Sequence, residues 1–317
     1  MPADGDSTAT KQRILVIKSR DIPFYNAALD GFISGLKARG YYNTNTVDLK
    51  IIALTGDTEK DSDAIKAQLS KSNSLIFTLG TDATAAVQKD HPAAPCLFTM
   101  LVDPVSLGVA KSLSQPGENF TGTTLLVDPG KQLEALQQIS SAVKKVGVLY
   151  TTGDATSLKF LSEASEEAHG MGMEIDAVPI KNYATDGQAA LTQLASKVDA
   201  FWVIVDPASA SPQALTDTMR IAESHKLPVL GMSNSNVRVG ALLSLSANLR
   251  DLGDVDAEIA GPLLDGTSHS SDTPIRGPRQ TILAINLHSA KDLHITVPTS
   301  VLQLADEVID DSETAAK

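Results

Sequence analysis

The stretch Arg13-Ile-Leu-Val-Ile-Lys-Ser19, followed by Pro23-Phe-Tyr-Asn-Ala-Ala-Leu-Asp-Gly-Phe-Ile-Ser-Gly-Leu-Lys-Ala-Arg39, decides how the rest of the chain is read. The first segment is an unbroken apolar run, the pattern of a parallel strand covered on both faces. In the second, Phe24, Ala28, Phe32 and Leu36 recur every four residues and form one helical stripe. Gly40 closes it at the position where a left-handed residue ends a helix. Gly31 and Gly35, one turn apart, lead us to expect that this helix approaches the sheet closely. A strand delivering into an amphipathic helix is the repeating unit of a parallel α/β sheet.

The same unit recurs along the chain. Strand-like runs at residues 47–55, 74–81 and 95–101 alternate with helical patterns at 59–70, 82–90 and, more briefly, 103–113. A second set has runs at 146–150, 173–180, 199–206 and 228–233, with helices at 156–169, 187–196 and 212–225. The expected fold is α/β: two Rossmann-like lobes with parallel sheets joined by a hinge, leaving a crevice between them for a small molecule. Between the sets, the turn cluster Gln115-Pro-Gly-Glu-Asn-Phe-Thr-Gly122 reads as the entrance to the first crossover, and 131–139 as a helix. Later come a strand-like run at 240–246, a helix at 252–264, a polar loop at 266–279, a strand at 281–286, and helices at 289–293 and 300–309. These late elements are expected to cross back. The lobes are therefore placed at 11–121 plus 241–277 and at 122–240 plus 278–317, with crossings near 119–124, 236–241 and 275–281.

Composition removes several classes of function. The chain has 317 residues, 42 % of them hydrophobic, enough for two cores. No stretch reaches the roughly 18 apolar residues of a membrane span. A net charge of −12 argues against nucleic acid or an anionic membrane as partner and favours a self-repelling monomer. Cys96 is the one cysteine, which excludes racemases that need a thiol pair; its apolar surroundings read as a buried strand. No two of the six histidines stand four residues apart, so no metal is expected. There is no GxSxG, no P-loop and no GxGxxG after the first strand, so neither a catalytic residue nor a cofactor is expected. Residues 1–10 are polar and acidic, without the apolar core of a signal peptide, which leaves a cytoplasmic protein or one whose leader has been removed. Residues 310–317 read as a frayed polar tail.

In parallel sheets ligands sit beyond the carboxyl ends of the strands. Those ends carry Ser19-Arg20-Asp21, Gly80-Thr81-Asp82 and Leu101-Val102-Asp103 in the first set, and Tyr150-Thr151-Thr152, Asp206-Pro207 and Ser233-Asn234 in the second. Each hydroxyl or carboxylate there reads either as a helix N-cap or as a ligand contact, and free N–H groups at helix starts can seat a carboxylate. Asp103-Pro104 and Asp206-Pro207 have the form of a cap followed by proline at the first helical position. The alternative for Asp206 is pairing with a ligand ammonium. Arg20 is either a solvated arginine or a fork for a carboxylate. Aromatic residues make up only 4 % of the chain; Phe24, Tyr25 and Tyr150 fall near the expected cleft edges, so a small polar or anionic ligand fits better than a sugar. An enzyme would need facing acid and base groups, with Asp82 and Asp206 the available pair.

Several segments carry a family resemblance. Asp103-Pro-Val-Ser-Leu-Gly108 with Ser112-Leu-Ser-Gln-Pro-Gly-Glu-Asn-Phe-Thr-Gly122 resembles the DPV…GLV…SL…PGGNVTG stretch of the ABC-transporter substrate-binding proteins that include the tryptophan- and tyrosine-binding lipoproteins. Ala28-Leu-Asp-Gly-Phe32, Gly240-Ala-Leu-Leu-Ser-Leu, Ala284-Ile-Asn-Leu-His-Ser-Ala-Lys-Asp-Leu293 and Val297-Pro-Thr-Ser-Val-Leu-Gln-Leu-Ala-Asp-Glu-Val-Ile309 are similar to it in the same order. The resemblance implies a type I periplasmic-binding fold that closes on a small polar solute, an amino acid or small carboxylate, and delivers it to an ABC permease. It implies a periplasmic or membrane-anchored extracytoplasmic protein whose leader is removed. By analogy Thr81, Asp82, Asp206 and Ser233 line the cleft, Thr123 lies at the hinge, and Asn119 belongs to hinge chemistry. The chain departs from the family pattern at Phe24-Tyr-Asn-Ala-Ala-Leu and at Gly80-Thr-Asp-Ala, and lacks the lipid-anchoring cysteine. A sensory module of the same fold, signalling to a membrane partner, is the alternative reading.

Overall fold

The computed structural model describes residues 11–42 and 46–310. The opening segment 1–10 and the tail from 311 onward, read above as polar ends, lie outside them. The chain divides into two compact units, Met1–Leu126 with Asn248–Gln280 and Val127–Ala247 with Thr281–Lys317, and so passes from one to the other three times.

The first unit opens with β1 (Gln12–Lys18), α1 (Pro23–Ala38), β2 (Val47–Ala53), α2 (Thr58–Leu69), β3 (Leu75–Leu79), α3 (Thr81–Gln88), β4 (Cys96–Leu101) and β5 (Phe120–Thr124). In the second unit follow α4 (Pro129–Ile139), β6 (Lys145–Thr151), α5 (Ala155–Gly170), β7 (Glu174–Ile180), α6 (Gln188–Ala195), β8 (Ala200–Trp202), α7 (Pro212–His225), β9 (Val229–Gly231), α8 (Asn234–Arg238) and β10 (Leu243–Ala247). Helix α9 (Leu249–Leu264) belongs to the first unit again; β11 (Thr281–Asn286), α10 (Leu287–Asp292), α11 (Thr299–Leu302) and β12 (Glu307–Ile309) complete the second.

The first sheet has the order β2-β1-β3-β4-β5, with every pair parallel. Its central strand β1 is buried on both faces: Ile14 and Val16 join the core under α1 and α9, and Leu15 and Ile17 join the opposite one with Ile76, Phe98 and Val109. The second sheet has the order β12-β11-β10-β9-β8-β6-β7, parallel throughout except for the β10–β11 pair. In both sheets the order reverses once, at β1 and at β6. Crossovers on either side of such a strand leave on opposite faces, so the loops after β1 and β3, and after β6 and β8, splay apart.

Helix α1 is helical for the reason the stripe gave, with Ala28, Phe32 and Leu36 buried and Phe32 stacked on Phe77 at 4.1 Å between ring centroids. Its glycines, however, meet α9 and not the sheet. A Cβ at Gly31 would lie 2.0 Å from the Arg250 carbonyl oxygen, and one at Gly253 would lie 1.9 Å from that of Ala28. The two helices therefore touch backbone to backbone, a contact the sequence could not reveal because α9 lies far along the chain.

Four expectations are corrected. Residues 103–113 form turns and not a helix, because the Asp103 carboxylate accepts from the Val105 and Ser106 N–H groups and Gly108 takes φ 77. The end of the 115–122 cluster is not a crossing: Phe120–Thr124 is the fifth strand, and Gly122 fits there because a Cβ would lie 1.8 Å from the Phe98 carbonyl oxygen. The run at 240–246, expected in the first lobe, supplies β10, which pairs with β9 in the second sheet. Residues 300–309 are helical only to Leu302; Glu307, Val308 and Ile309 then pair with β11, covering what would otherwise be a sheet edge.

Replacing Gly253 with alanine adds roughly 1 kcal/mol of helix propensity but forces α1 and α9 apart, so a net loss of about 1–3 kcal/mol is expected. Urea unfolding of the variant checks this. A stability equal to or above the parent protein's would show that the helices do not meet so tightly.

Candidate functional site

In the first unit the loops after β1 and β3 are tied together by one hydroxyl. The Ser19 N–H donates to the Leu79 carbonyl (2.9 Å), and its Oγ accepts from the Ala83 N–H at the start of α3 (3.0 Å). Gly80, at φ 89, makes this possible: a Cβ there would lie 2.6 Å from the Tyr25 hydroxyl and 2.7 Å from Ser19 Oγ. The Tyr25 phenol thus lies over the loop. Burial pushes its pKa up, partly opposed by the Ser19 hydroxyl. At the surface beside it, the Arg20 guanidinium and the Asp82 carboxylate are 3.8 Å apart, with 59 % and 65 % of their side chains exposed. Thr81 is also exposed. Ile22 and Phe24 add apolar surface, being 40 % and 43 % exposed, and Phe24 meets the edge of Tyr25.

Ser19, Arg20, Tyr25, Thr81 and Asp82 are therefore brought together, though Ser19 is buried and acts by holding the loops. Lys18 and Asn26 were not singled out from sequence. The Lys18 ammonium donates to Asp21 (2.5 Å) and Asn26 (2.8 Å), pinning the loop into α1. A lysine ending an apolar run was the available signal. Asp103 stands apart, its carboxylate spent on its own turn. Thr123 is fully buried, its hydroxyl paired with that of Thr99 at 2.9 Å, so it presents nothing to a ligand. Asn119 donates to the Pro92 and Ala94 carbonyls and closes the loop before β4.

In the second unit Asp206 spans the loops after β6 and β8. One carboxyl oxygen accepts from the Thr151 N–H (2.7 Å) and the Ser157 hydroxyl (2.8 Å). The other accepts from the Thr151 hydroxyl (2.8 Å) and the N–H groups of Ala208 (3.0 Å) and Ser209 (2.9 Å). The side chain is 2 % exposed. Burial raises its pKa, but the N–H groups of Ser209 and Thr151 and the hydroxyls of Ser157 and Thr151 outweigh that and hold it below the usual carboxylate value. With both oxygens committed, Asp206 is a positioning residue; it is neither an acceptor for a ligand ammonium nor a catalytic base. Around it, Thr152 is exposed, Tyr150 is half-buried, and Val205 and Leu158 are 45 % and 46 % exposed. After β9, the Ser233 hydroxyl meets that of Ser235 (2.7 Å), while Asn234 donates to Glu307 (3.0 Å) and accepts from Ser246 (3.1 Å). Asn234 thus fastens α8 to β10 and β12.

Among the described residues no group of three or more His, Cys, Asp or Glu side chains is placed to hold a metal. Cys96 is buried, and burial pushes its thiol well above the ordinary range. No helix among the described residues is long and apolar enough to cross a membrane.

The profile of the family described as ABC transporter substrate binding protein matches residues 14–309. A tyrosine-binding protein from Clostridioides difficile (strain R20291) is 26 % identical over 271 residues, covering 86 % of this chain and 77 % of that protein. The crystal structure of an ABC domain in complex with L-Trp from Streptococcus pneumoniae shares 26 % identity at a TM-score of 0.76, covering 95 % of this chain and 100 % of the other. The ligand-free, open structure of a substrate-binding protein with adhesive properties from Clostridium difficile shares 25 % identity at a TM-score of 0.81, again covering 95 % and 100 %. The fold is that of the type I periplasmic binding proteins.

Substituting Asp206 with asparagine places an amide donor among donors and is expected to cost about 2–3 kcal/mol. Because the native pKa lies below the unfolded one, that stabilisation is present above about pH 4 and fades as pH falls through the native value. Denaturant titrations of both proteins from neutral to acid pH should show the gap closing. A gap that stays constant or widens on acidification would contradict this role.

Proposed function

This chain belongs to the family of ABC transporter substrate-binding proteins, and we propose that it captures a free amino acid outside the cytoplasm and hands it to a membrane permease. The observation that carries the amino-acid reading is the Arg20–Asp82 pair. A zwitterion offers a carboxylate and an ammonium a few ångströms apart. The first unit offers a guanidinium and a carboxylate 3.8 Å apart, both more than half exposed. Arginine can grip a carboxylate by two parallel hydrogen bonds, and the aspartate can accept from the ammonium. A small dicarboxylate would satisfy only the arginine and would be repelled by Asp82.

The surroundings support a side chain with apolar surface. Ile22 and Phe24 beside the ion pair, and Val205 and Leu158 beside the Asp206 loop, are exposed next to polar loops at carboxyl strand ends. Sites of this kind combine apolar walls with a few placed polar groups. The relatives point the same way, one being tyrosine-binding and another being solved with L-Trp. Among the amino acids we favour the aromatic ones. An extracytoplasmic place and a permease partner follow from the family reading and are part of the proposal.

A thermal-shift and calorimetric screen over the amino acids and small dicarboxylates tests it. An aromatic amino acid at a hundred times its Kd should add about 2.7 kcal/mol of stability. Arg20→Ala and Asp82→Ala should each weaken binding by about 1–2 kcal/mol, since each removes a charge-assisted hydrogen bond. Both side chains are exposed, so the free protein should keep its stability. Binding of dicarboxylates in preference to amino acids, or binding indifferent to both substitutions, would overturn the proposal.

A further inference from the structure

The first unit holds a carboxyl group that none of the foregoing explains. Asp256, on the sheet-facing side of α9, is 0 % exposed, and neither of its oxygens has a hydrogen-bond partner of ordinary geometry among the described residues. It lies against Thr99 of β4 and Thr123 of β5, both fully buried, whose hydroxyls are 2.9 Å apart. Among the described residues no cation reaches it. The strands under α9 offer none: β3, β4 and β5 carry no charged side chain, and the thiol of Cys96 packs on the opposite face of the sheet. On α1, Asp30 and Lys37 are exposed, and Arg39, which caps its C-terminus, is engaged by Asp254. Arg276 and Arg279 are held by Glu258, Asp251 and Asp254 along another flank of α9.

The place is also strained. Between Phe98 and Leu101 the β4–β5 register slips by one residue, and Met100 takes φ 63 while only 3 % exposed. A left-handed methionine in a buried strand is strained and persists only where its surroundings hold it. Three segments that carry the chain into or out of the first unit meet here. The end of β5 leads to the first passage, and α9 follows the second. Residue Arg276, just before the third, bonds to Gly122 and Thr124 on either side of Thr123 (3.0 and 2.9 Å).

We propose that Asp256 is held as a neutral carboxylic acid and acts as a proton-operated lock, its O–H directed at the Thr99–Thr123 hydroxyl pair so that α9, the bulged β4 and the end of β5 are fastened where the chain leaves the first unit. An ionised carboxylate in this position would be buried without a partner, a state far more costly than the neutral acid. Burial pushes the group well above the ordinary carboxylate range, with the two threonine hydroxyls acting in the opposite direction. The sign of the linkage follows. The native pKa lies above the unfolded one, so the stabilisation is complete below about pH 4 and is lost as pH rises toward the native value, by up to tenfold in the folding equilibrium constant per pH unit. The lock therefore loosens as pH rises, opposite in direction to Asp206.

The test compares the full chain with Asp256→Asn, which keeps the shape and cannot ionise. The ratio of their folding constants, variant over parent, should climb with pH by up to tenfold per unit. Infrared spectra of the parent protein at neutral pH should contain a protonated-carboxyl stretch that is missing in the variant; this measurement stands even if the variant folds poorly. A ratio that does not change with pH would overturn the proposal. So would a parent spectrum without that stretch, or a stability that rises with sodium or potassium, which would mean a cation and not a proton neutralises Asp256.

Discussion

Parallel strands cannot be joined by tight turns, and that constraint shapes everything else in this molecule. Each connection must cross over the sheet, and where the strand order reverses the crossovers leave on opposite faces. At that point the loops lose the ladder partners that strands have, and their backbone groups must be satisfied by side chains. The two units solve the problem with different chemistry. In the first, the Ser19 hydroxyl takes the Ala83 N–H, with Gly80 leaving room. In the second, a single carboxylate, Asp206, gathers five donors from the loops after β6 and β8 and from the start of α5. The residues left exposed on these fastened loops are the ones we propose meet the ligand.

The first unit depends further on a helix supplied from far along the chain. Helix α9 meets α1 through glycines and covers β3 to β5, so one face of the sheet stays uncovered until residues 249–264 have arrived. One flank carries Asp251, whose side chain is nearly buried, with Asp254 and Glu258, against Arg39, Arg276 and Arg279. Single surface pairs contribute little. Here the same acids share arginines from α1 and from the segment before the third passage, so the group fixes a relation among three pieces of chain. Hydrogen bonding from Arg39 is the first cause that brings the Asp254 carboxyl down to about 2.

Much of this was legible beforehand, for a physical reason. A strand buried on both faces is apolar at nearly every position, so β1, β3 and β4 announced themselves, and the helical stripes between them did so by spacing. The strand β5, Phe-Thr-Gly-Thr-Thr, has no such run; its threonines are buried only because β4, α9 and residue 276 surround them. Asp206 illustrates the limit for site residues. Its local signature is an N-cap before proline, and its N–H contacts at 208 and 209 fit that reading, but Thr151 and Ser157 lie 55 and 49 residues away. Asp256 was readable in principle. It falls on the stripe of Leu252, Ala260 and Leu263, where a carboxylate among apolar neighbours signals something unusual. Arg20 and Asp82 were found from their positions at strand ends, while their proximity required the fold.

The central claim is that recognition resides in the loops at the two order reversals. Hydrogen–deuterium exchange of the intact chain, with and without a saturating aromatic amino acid, tests it most directly. The account predicts slowed exchange in residues 19–25 and 80–83 of the first unit and in 151–158 and 205–209 of the second, with little change at the amino ends of the strands. Protection centred on the amino ends, or on α9 and the segment 266–279 alone, would contradict it.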